Sequence, residues 1–377
     1  MEQKNYGLYI HIPFCVKKCA YCDFVSFPME REGRMQYLQF LAREMELWQR
    51  ELSGYSADTI FVGGGTPSAL SLEELDFLFG TLQNRFPLEQ TKEFTVECNP
   101  GTVDREKLSL MREAGVNRIS FGLQSALDKE LKTLGRIHSY ADFLESYELA
   151  VKTGFETINI DLMSAIPGQT LTSYEESLRQ VIKLAPAHIS SYSLIIEEGT
   201  PFYEKYGDTS PVDEETDRKM YEMTREQLAS AGYERYEISN YAKSGKQCLH
   251  NMKYWRRQEY IGIGLSAASF WKGCRMKNED GIPGYQEKLK SGKLPVCETE
   301  TLTKQEEMAE FMFLGFRCME GISILDFEKQ FHEDFNSHYG ETVKRFLAQG
   351  LMEQEGDRVF LTPKGIDVSN RIFEEFL

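Results

Sequence analysis

Three cysteines, Cys15, Cys19 and Cys22, fall within eight positions of one another, whereas the other five stand apart at 98, 248, 274, 297 and 318. Thiolates three and two residues apart in one loop can wrap a single inorganic core, and iron–sulfur clusters are held at comparable spacings. Three protein ligands on a four-iron cluster leave one iron open for an exchangeable ligand. Two other readings use the same residues. A structural zinc could take His11 or another side chain as its fourth ligand, although such sites usually come as paired knuckles stapling a small fold. A redox dithiol needs only C-x-x-C and leaves the third cysteine without a role. In a reducing compartment an isolated tight group favours metal ligation over a disulfide framework.

A loop of this kind needs a rigid frame. From residue 6 to about 195, short apolar-rich runs alternate with amphipathic stretches: "YGLYIHI", "DTIFVGG", "EFTVEC", "RISFGLQS", "TINIDLM" and "HISSYSLII" read as strands separated by five helices. Ser71 and Glu74 form the capping-box pattern at one helix start. Alternating strands and helices imply a parallel sheet, and right-handed crossovers wind it into a full or partial barrel.

Within these strands the side chains divide by parity. Leu8, Ile10 and Ile12 oppose Tyr9 and His11, and Phe94, Val96 and Cys98 oppose Thr95, Glu97 and Asn99. Ile119, Phe121 and Leu123 oppose Ser120, Gly122 and Gln124, while Ile158, Ile160 and Leu162 oppose Asn159 and Asp161. If the apolar faces meet the outer helices, Tyr9, His11, Glu97, Gln124 and Asp161 converge inside. Barrel interiors are normally apolar, so such a set is either a satisfied buried network or a polar ligand site. Its position towards the C-terminal strand ends favours the ligand.

The chain has 377 residues and a formal net charge of -16, with 43 Lys and Arg against 59 Asp and Glu. That balance argues against a broad phosphate-tracking surface, and we expect no nucleic-acid partner. No apolar run reaches the length of a transmembrane helix, and "MEQKNYGLYIHIPF" lacks the regions of a signal peptide; the expectation is a cytoplasmic protein.

We divide the chain into 1–200, an α/β partial (β/α)6 barrel; 201–300, a middle region completing the core; and 301–377, a C-terminal α+β module. The middle region carries "CLHNMKYW" and "YIGIGLSAAS". The last part reads as three helices and a hairpin turning at "EGD", the order of a winged helix. It holds 8 Lys and Arg against 15 Asp and Glu, so packing or partner docking is a better expectation for it than reading DNA.

The C-x3-C-x2-C run, with an aromatic before its last cysteine, together with "GGGTP" at 63–67, resembles the radical S-adenosylmethionine (SAM) superfamily. Glycines there let the backbone approach a small ligand closely. "YIHIPFC", "GGGTPS", "ECNPGT", "GVNRISFGLQS", "LGRIH", "NIDLMSAIPGQT" and "CLHNMKYW" narrow the resemblance to the oxygen-independent coproporphyrinogen III oxidase family over nearly the whole chain. The resemblance implies a [4Fe-4S] cluster on Cys15, Cys19 and Cys22. It also implies SAM contacts at Tyr9, Gly64, Gly65, Thr66, Glu97, Gln124, Arg136 and Asp161, and an electron from a low-potential donor if SAM is cleaved reductively.

The oxidase branch of that family has a fourth cysteine two residues after the third and a longer segment before the cluster. Here position 24 is Phe24 and 14 residues precede Cys15. Both departures resemble the haem-chaperone branch, whose members carry H-N-x-x-Y-W, and they leave open whether the chain is an enzyme at all. That branch implies haem as cargo and a haem-acceptor protein as partner. It makes His250 a candidate axial haem ligand, with Cys248 as the alternative and Tyr254 and Trp255 as candidate porphyrin-facing aromatics. Ala268 replaces a histidine common in relatives, and Ala165 replaces a glycine.

Overall fold

A computed structural model describes residues 4–377; the first three residues of the barrel segment lie outside the described part. Strand β1 (Lys4–Ile12) leads through the cysteine loop into α1 (Arg31–Glu51). Then follow β2 (Tyr55–Gly64), α2 (Leu72–Arg85), β3 (Glu93–Cys98), α3 (Arg105–Glu113), β4 (Arg118–Gln124), a short α4 (Asp128–Thr133), α5 (Tyr140–Lys152), β5 (Thr157–Ser164), α6 (Leu171–Leu184) and β6 (His188–Ser193). The six strands pair in parallel in chain order. All six expected strands and all five expected helices are present, with α4 as an addition.

Helix starts follow local chemistry. Ser71 accepts from the Glu74 amide while Glu74 reaches back to the Ser71 amide at 2.7 Å, so the capping box is formed. Ser139 and Thr170 cap α5 and α6 in the same reciprocal way. The parity reading of the strands also holds: Leu8, Ile10, Ile12, Val96, Ile119, Phe121, Ile158 and Ile160 belong to one continuous core beneath the helices.

The middle region extends this sheet at both edges. After α7 (Pro201–Tyr206) and α8 (Glu214–Ser230), β7 (Glu234–Arg235) and β8 (Asn240–Ala242) add antiparallel beyond β6. Helix α9 (Leu249–Trp255) then crosses to the opposite edge, where β9 (Tyr260–Ile263) pairs in parallel with β1. Strands β10 (Ala268–Trp271) and β11 (Cys274–Asn278), α10 (Ile282–Lys290) and β12 (Val296–Thr301) continue outward. The result is an open twelve-stranded sheet whose parallel centre is a partial barrel. The seventh parallel strand, β9, was not expected, because its four residues carry no alternation and its pairing is decided by β1 more than 250 positions earlier.

The C-terminal segment comprises α11 (Lys304–Gly315), β13 (Ile322–Ser323), α12 (Ile324–Phe331), α13 (Phe335–Ala348), β14 (Met352–Glu355), β15 (Arg358–Leu361), α14 (Pro363–Asp367) and α15 (Ser369–Glu374). Three helices and a small sheet in the order β13-β15-β14 make a winged-helix-like arrangement, with the hairpin turning at Gly356 (φ 61°). It has its own core around Phe316, Phe327, Phe335 and Val359. Among the described residues no helix is long and apolar enough to cross a membrane.

Candidate functional site

The cysteine loop is fastened at both ends. Cys15 N–H donates to Phe27 O (3.2 Å) and Phe27 N–H to Pro13 O (2.9 Å), while Phe14 and Phe27 meet edge to face. At its middle, Ala20 N–H donates to Leu134 O (3.0 Å) and Ala20 O accepts from Phe202 N–H (3.0 Å). The loop therefore hangs over the C-terminal ends of the strands.

Beneath it lies a cavity of about 340 Å³ lined by Cys15, Cys19, Cys22, Gly64, Gly65, Thr66, Glu97, Gln124, Arg136 and Asp161, among others. All three cysteines and seven of the eight SAM positions implied by the resemblance are thus gathered in one place. The exception is Tyr9. Its hydroxyl is bonded to His11 Nδ1 (3.0 Å), its ring lies beside Phe61, and it is not among the lining residues. His11 spends its other nitrogen on Val25 O (2.9 Å), so it holds the end of the loop and has no free lone pair for a zinc.

The glycines act by leaving room. A side chain at Gly65 would stand 2.7 Å from Phe14 O, and one at Gly64 (φ 108°) would stand 2.5 Å from the His11 ring. Strand β2 can therefore lie directly against the loop. Gly64 N–H donates to Glu97 Oε2 (3.1 Å), and Thr66 Oγ1 donates to Cys15 Sγ (3.4 Å).

Electrostatically the floor is acidic and the wall basic. Burial, then the neighbouring Asp161, pushes the Glu97 carboxyl up to about 7. Burial also raises Asp161, against a hydrogen bond from Asn159 (2.7 Å). Arg136 donates to Asn99 Oδ1 (2.6 Å), Gly122 O and Cys19 Sγ (3.6 Å), while its buried Nε has no partner among the described residues. Gln124 is held at φ 72°, where β4 breaks register with β5, and accepts from Tyr192 OH (3.1 Å). Strained backbone of this kind concentrates at functional sites.

These features fit the groups implied by the resemblance. The donor set at the mouth is three free, half-buried thiols. Among the described residues no three His, Cys, Asp or Glu side chains converge as the ligands of a single metal ion do. Paired buried carboxylates opposite an arginine suit a ligand with an amine, a carboxylate and hydroxyls.

Asn99, Ser120, Ser190, Tyr192 and Asn251 also line the cavity. The first two were visible as inward positions; the others needed the packing. Asn251 is the informative one, because within the "HNMKYW" block it, and not His250, reaches the cavity. His250 is 1% exposed, with Nδ1 bonded to Thr59 Oγ1 (2.9 Å) and Nε2 to Tyr254 OH (2.8 Å). Burial, aided by Lys253 and Arg118, pushes its pKa down to about 3, so it is neutral. With both nitrogens hydrogen-bonded, the imidazole would have to leave Thr59 or Tyr254 to ligate a haem iron. Cys248 is equally enclosed, its thiol facing Glu93. Ala165 stands at φ 58°, a left-handed backbone that glycine adopts without strain, and Ala268 lies exposed on β10.

Residues 9–181 match the radical SAM superfamily and residues 302–368 the HemN C-terminal domain. The chain is 36% identical to the heme chaperone HemW of Lactococcus lactis, covering 100% of this chain and 98% of that one. It is 36% identical to HemW of Bacillus subtilis, covering 98% of each. HemW of Escherichia coli is 43% identical over 69% of each chain. Among solved structures, coproporphyrinogen III oxidase (HemN) from Escherichia coli superposes with a TM-score of 0.88 at 22% identity, covering 100% of this chain and 90% of that one. That similarity establishes the fold.

Proposed function

We propose, from the premise that this chain belongs to the HemW family within the radical SAM superfamily, that it is a cytoplasmic haem chaperone which binds haem and passes it to an acceptor protein. Membership of the superfamily implies a [4Fe-4S] cluster and SAM. Cys15, Cys19 and Cys22 would hold the cluster. Glu97, Asp161, Gln124, Thr66, Arg136 and the Gly64–Gly65 backbone would hold SAM, with Tyr9 supporting from behind through His11. When bound, the cluster supplies an open iron and, from a low-potential donor, one electron.

The chain's own residues set the conditions for that chemistry. Arg136 places positive charge beside Cys19, 3.6 Å from its sulfur. Glu97 and Asp161 sit where burial strengthens their attraction for a cationic ligand. The cysteine loop, tied back by Phe27, covers one side of the cavity.

The observation that carries the chaperone reading is Phe24. It stands at the cavity mouth, 62% exposed, at the position where the oxidase branch has its fourth cysteine. Phenylalanine supplies neither a thiol nor a proton there. The test is to incubate cluster-loaded protein with coproporphyrinogen III, SAM and reductant, and to titrate the same preparation with haem. Haem binding with a Soret band and no protoporphyrinogen is the expected outcome; protoporphyrinogen formation refutes the chaperone reading.

A further inference from the structure

At the end of the barrel opposite the cysteine loop, where β3, β4 and β5 begin, lies a cavity of about 440 Å³. Its volume falls within the range of small-molecule sites. Barrels of this kind ordinarily use that end for stability, and none of its lining residues borders the cavity under the loop.

Four cations line it in a chain of net charge -16: Lys92 just before β3, Arg112 on α3, Arg118 at the head of β4 and Lys246 in the loop before α9. Arg112 lies 5.3 Å over the Phe155 ring, and Lys246 Nζ donates to Thr157 Oγ1 (3.2 Å); none of the four is ion-paired among the described residues. Two carboxylates share the lining, Glu93 and Glu156. Glu93 is turned to α9, its Oε2 accepting from Leu249 N–H (2.9 Å) and its Oε1 from His250 N–H (3.0 Å), and Glu156 is exposed. The lining therefore carries an excess of positive charge.

Arg118 is the decisive residue. It has the inward parity of Ser120 and Gln124 and is 3% exposed. Its one hydrogen bond among the described residues runs from Nη1 to Thr95 Oγ1, long at 3.5 Å. Nε is enclosed without an acceptor, whereas Nη2, also unbonded among the described residues, is not sealed in and is the donor left to meet the cavity. A guanidinium stays charged in a protein interior, and a buried charge without a bonded counter-ion is costly. An anion in the cavity offsets that cost.

We propose that this cavity binds a phosphate group, as free phosphate or as the head of a small phosphate monoester, with Arg118 donating from the floor and Lys92, Arg112 and Lys246 from the rim. Donors approaching from four separate segments suit a tetrahedral dianion better than a planar carboxylate, which pairs edge-on with one guanidinium. Binding is non-covalent and does not depend on the haem or SAM readings. The bound group joins α3, the starts of β3 and β4 and the loop before α9 at the base of the barrel.

The test titrates inorganic phosphate, and separately glycerol phosphate and acetate, into the full-length, cluster-loaded protein by calorimetry, with SAM in excess to fill the cavity under the loop. The expected result is one saturable phosphate per chain. Lys92→Gln/Lys246→Gln removes two rim charges and leaves the buried floor intact. It should weaken phosphate binding about tenfold to a hundredfold, the range for losing charge-assisted contacts, with SAM affinity and far-ultraviolet circular dichroism unchanged. Tighter binding of glycerol phosphate than of phosphate identifies the ester as the ligand, and the reverse order identifies free phosphate. No saturable binding up to about 10 mM phosphate, unchanged phosphate affinity in the double variant, or acetate binding as tightly as phosphate overturns the site.

Discussion

Replacing His250 by alanine separates a structural histidine from a haem ligand. The imidazole is enclosed below Phe61, 5.4 Å between ring centroids, and its Cε1 lies 3.2 Å from where a side chain on Gly7 would begin. Its removal empties a site that neighbouring strands cannot collapse into. It also leaves the Thr59 and Tyr254 hydroxyls, bonded to it at 2.9 and 2.8 Å, without their partner. Truncating a buried Phe or Trp costs about 3–5 kcal/mol when the cavity persists, of which the smaller, polar imidazole should account for about 2–3 kcal/mol, and each of its two hydrogen bonds adds about 1 kcal/mol. We expect a net loss of about 3–5 kcal/mol against a total stability of about 5–15 kcal/mol. Urea unfolding followed by far-ultraviolet circular dichroism measures this, and His250→Gln, which restores a donor and an acceptor, should lose less. Haem affinity and spectrum, measured well below the unfolding transition, should match the parent. A His250→Ala protein of parental stability with an altered haem spectrum would refute the structural assignment.

Glu97, raised to about 7 by burial and Asp161, gives a pH dependence. In the ligand-free protein its contribution to stability is present below the ordinary carboxyl value of 4.5 and is lost as pH rises through about 7. A cationic ligand prefers the ionised form, so SAM affinity by calorimetry should rise with pH between about 6 and 8, by up to tenfold per unit. Glu97→Gln should flatten the profile, and a flat profile in the parent would show that Glu97 does not face the ligand's charge. Ala165→Gly relieves a left-handed backbone that costs a non-glycine residue about 1–2 kcal/mol, offset in part by glycine's greater loss of freedom on folding. The expected gain is about 0.5–1 kcal/mol in urea unfolding; a loss of stability would show that the Ala165 methyl packs usefully.

Much of this architecture is legible in the sequence because the relevant information is local. Parity along β3, β4 and β5 identifies Glu97, Gln124 and Asp161 as inward residues, since side chains in a strand alternate regardless of what they later meet. Cysteine spacing marks the loop, and Ser71 with Glu74 marks a helix start, because each depends on neighbours within a few positions. Roles that depend on distant partners are not legible in this way. Nothing in "YIGI" announces that it will pair with β1, and nothing in "HNMKYW" says that Asn251 faces the cavity while His250 closes onto Thr59, 191 positions away. Tyr9 has the right parity, yet His11 holds its hydroxyl off the cavity wall. Periodicity determines which face of an element is buried; which residues share that burial, and which ring nitrogens remain free, is decided only when the elements pack.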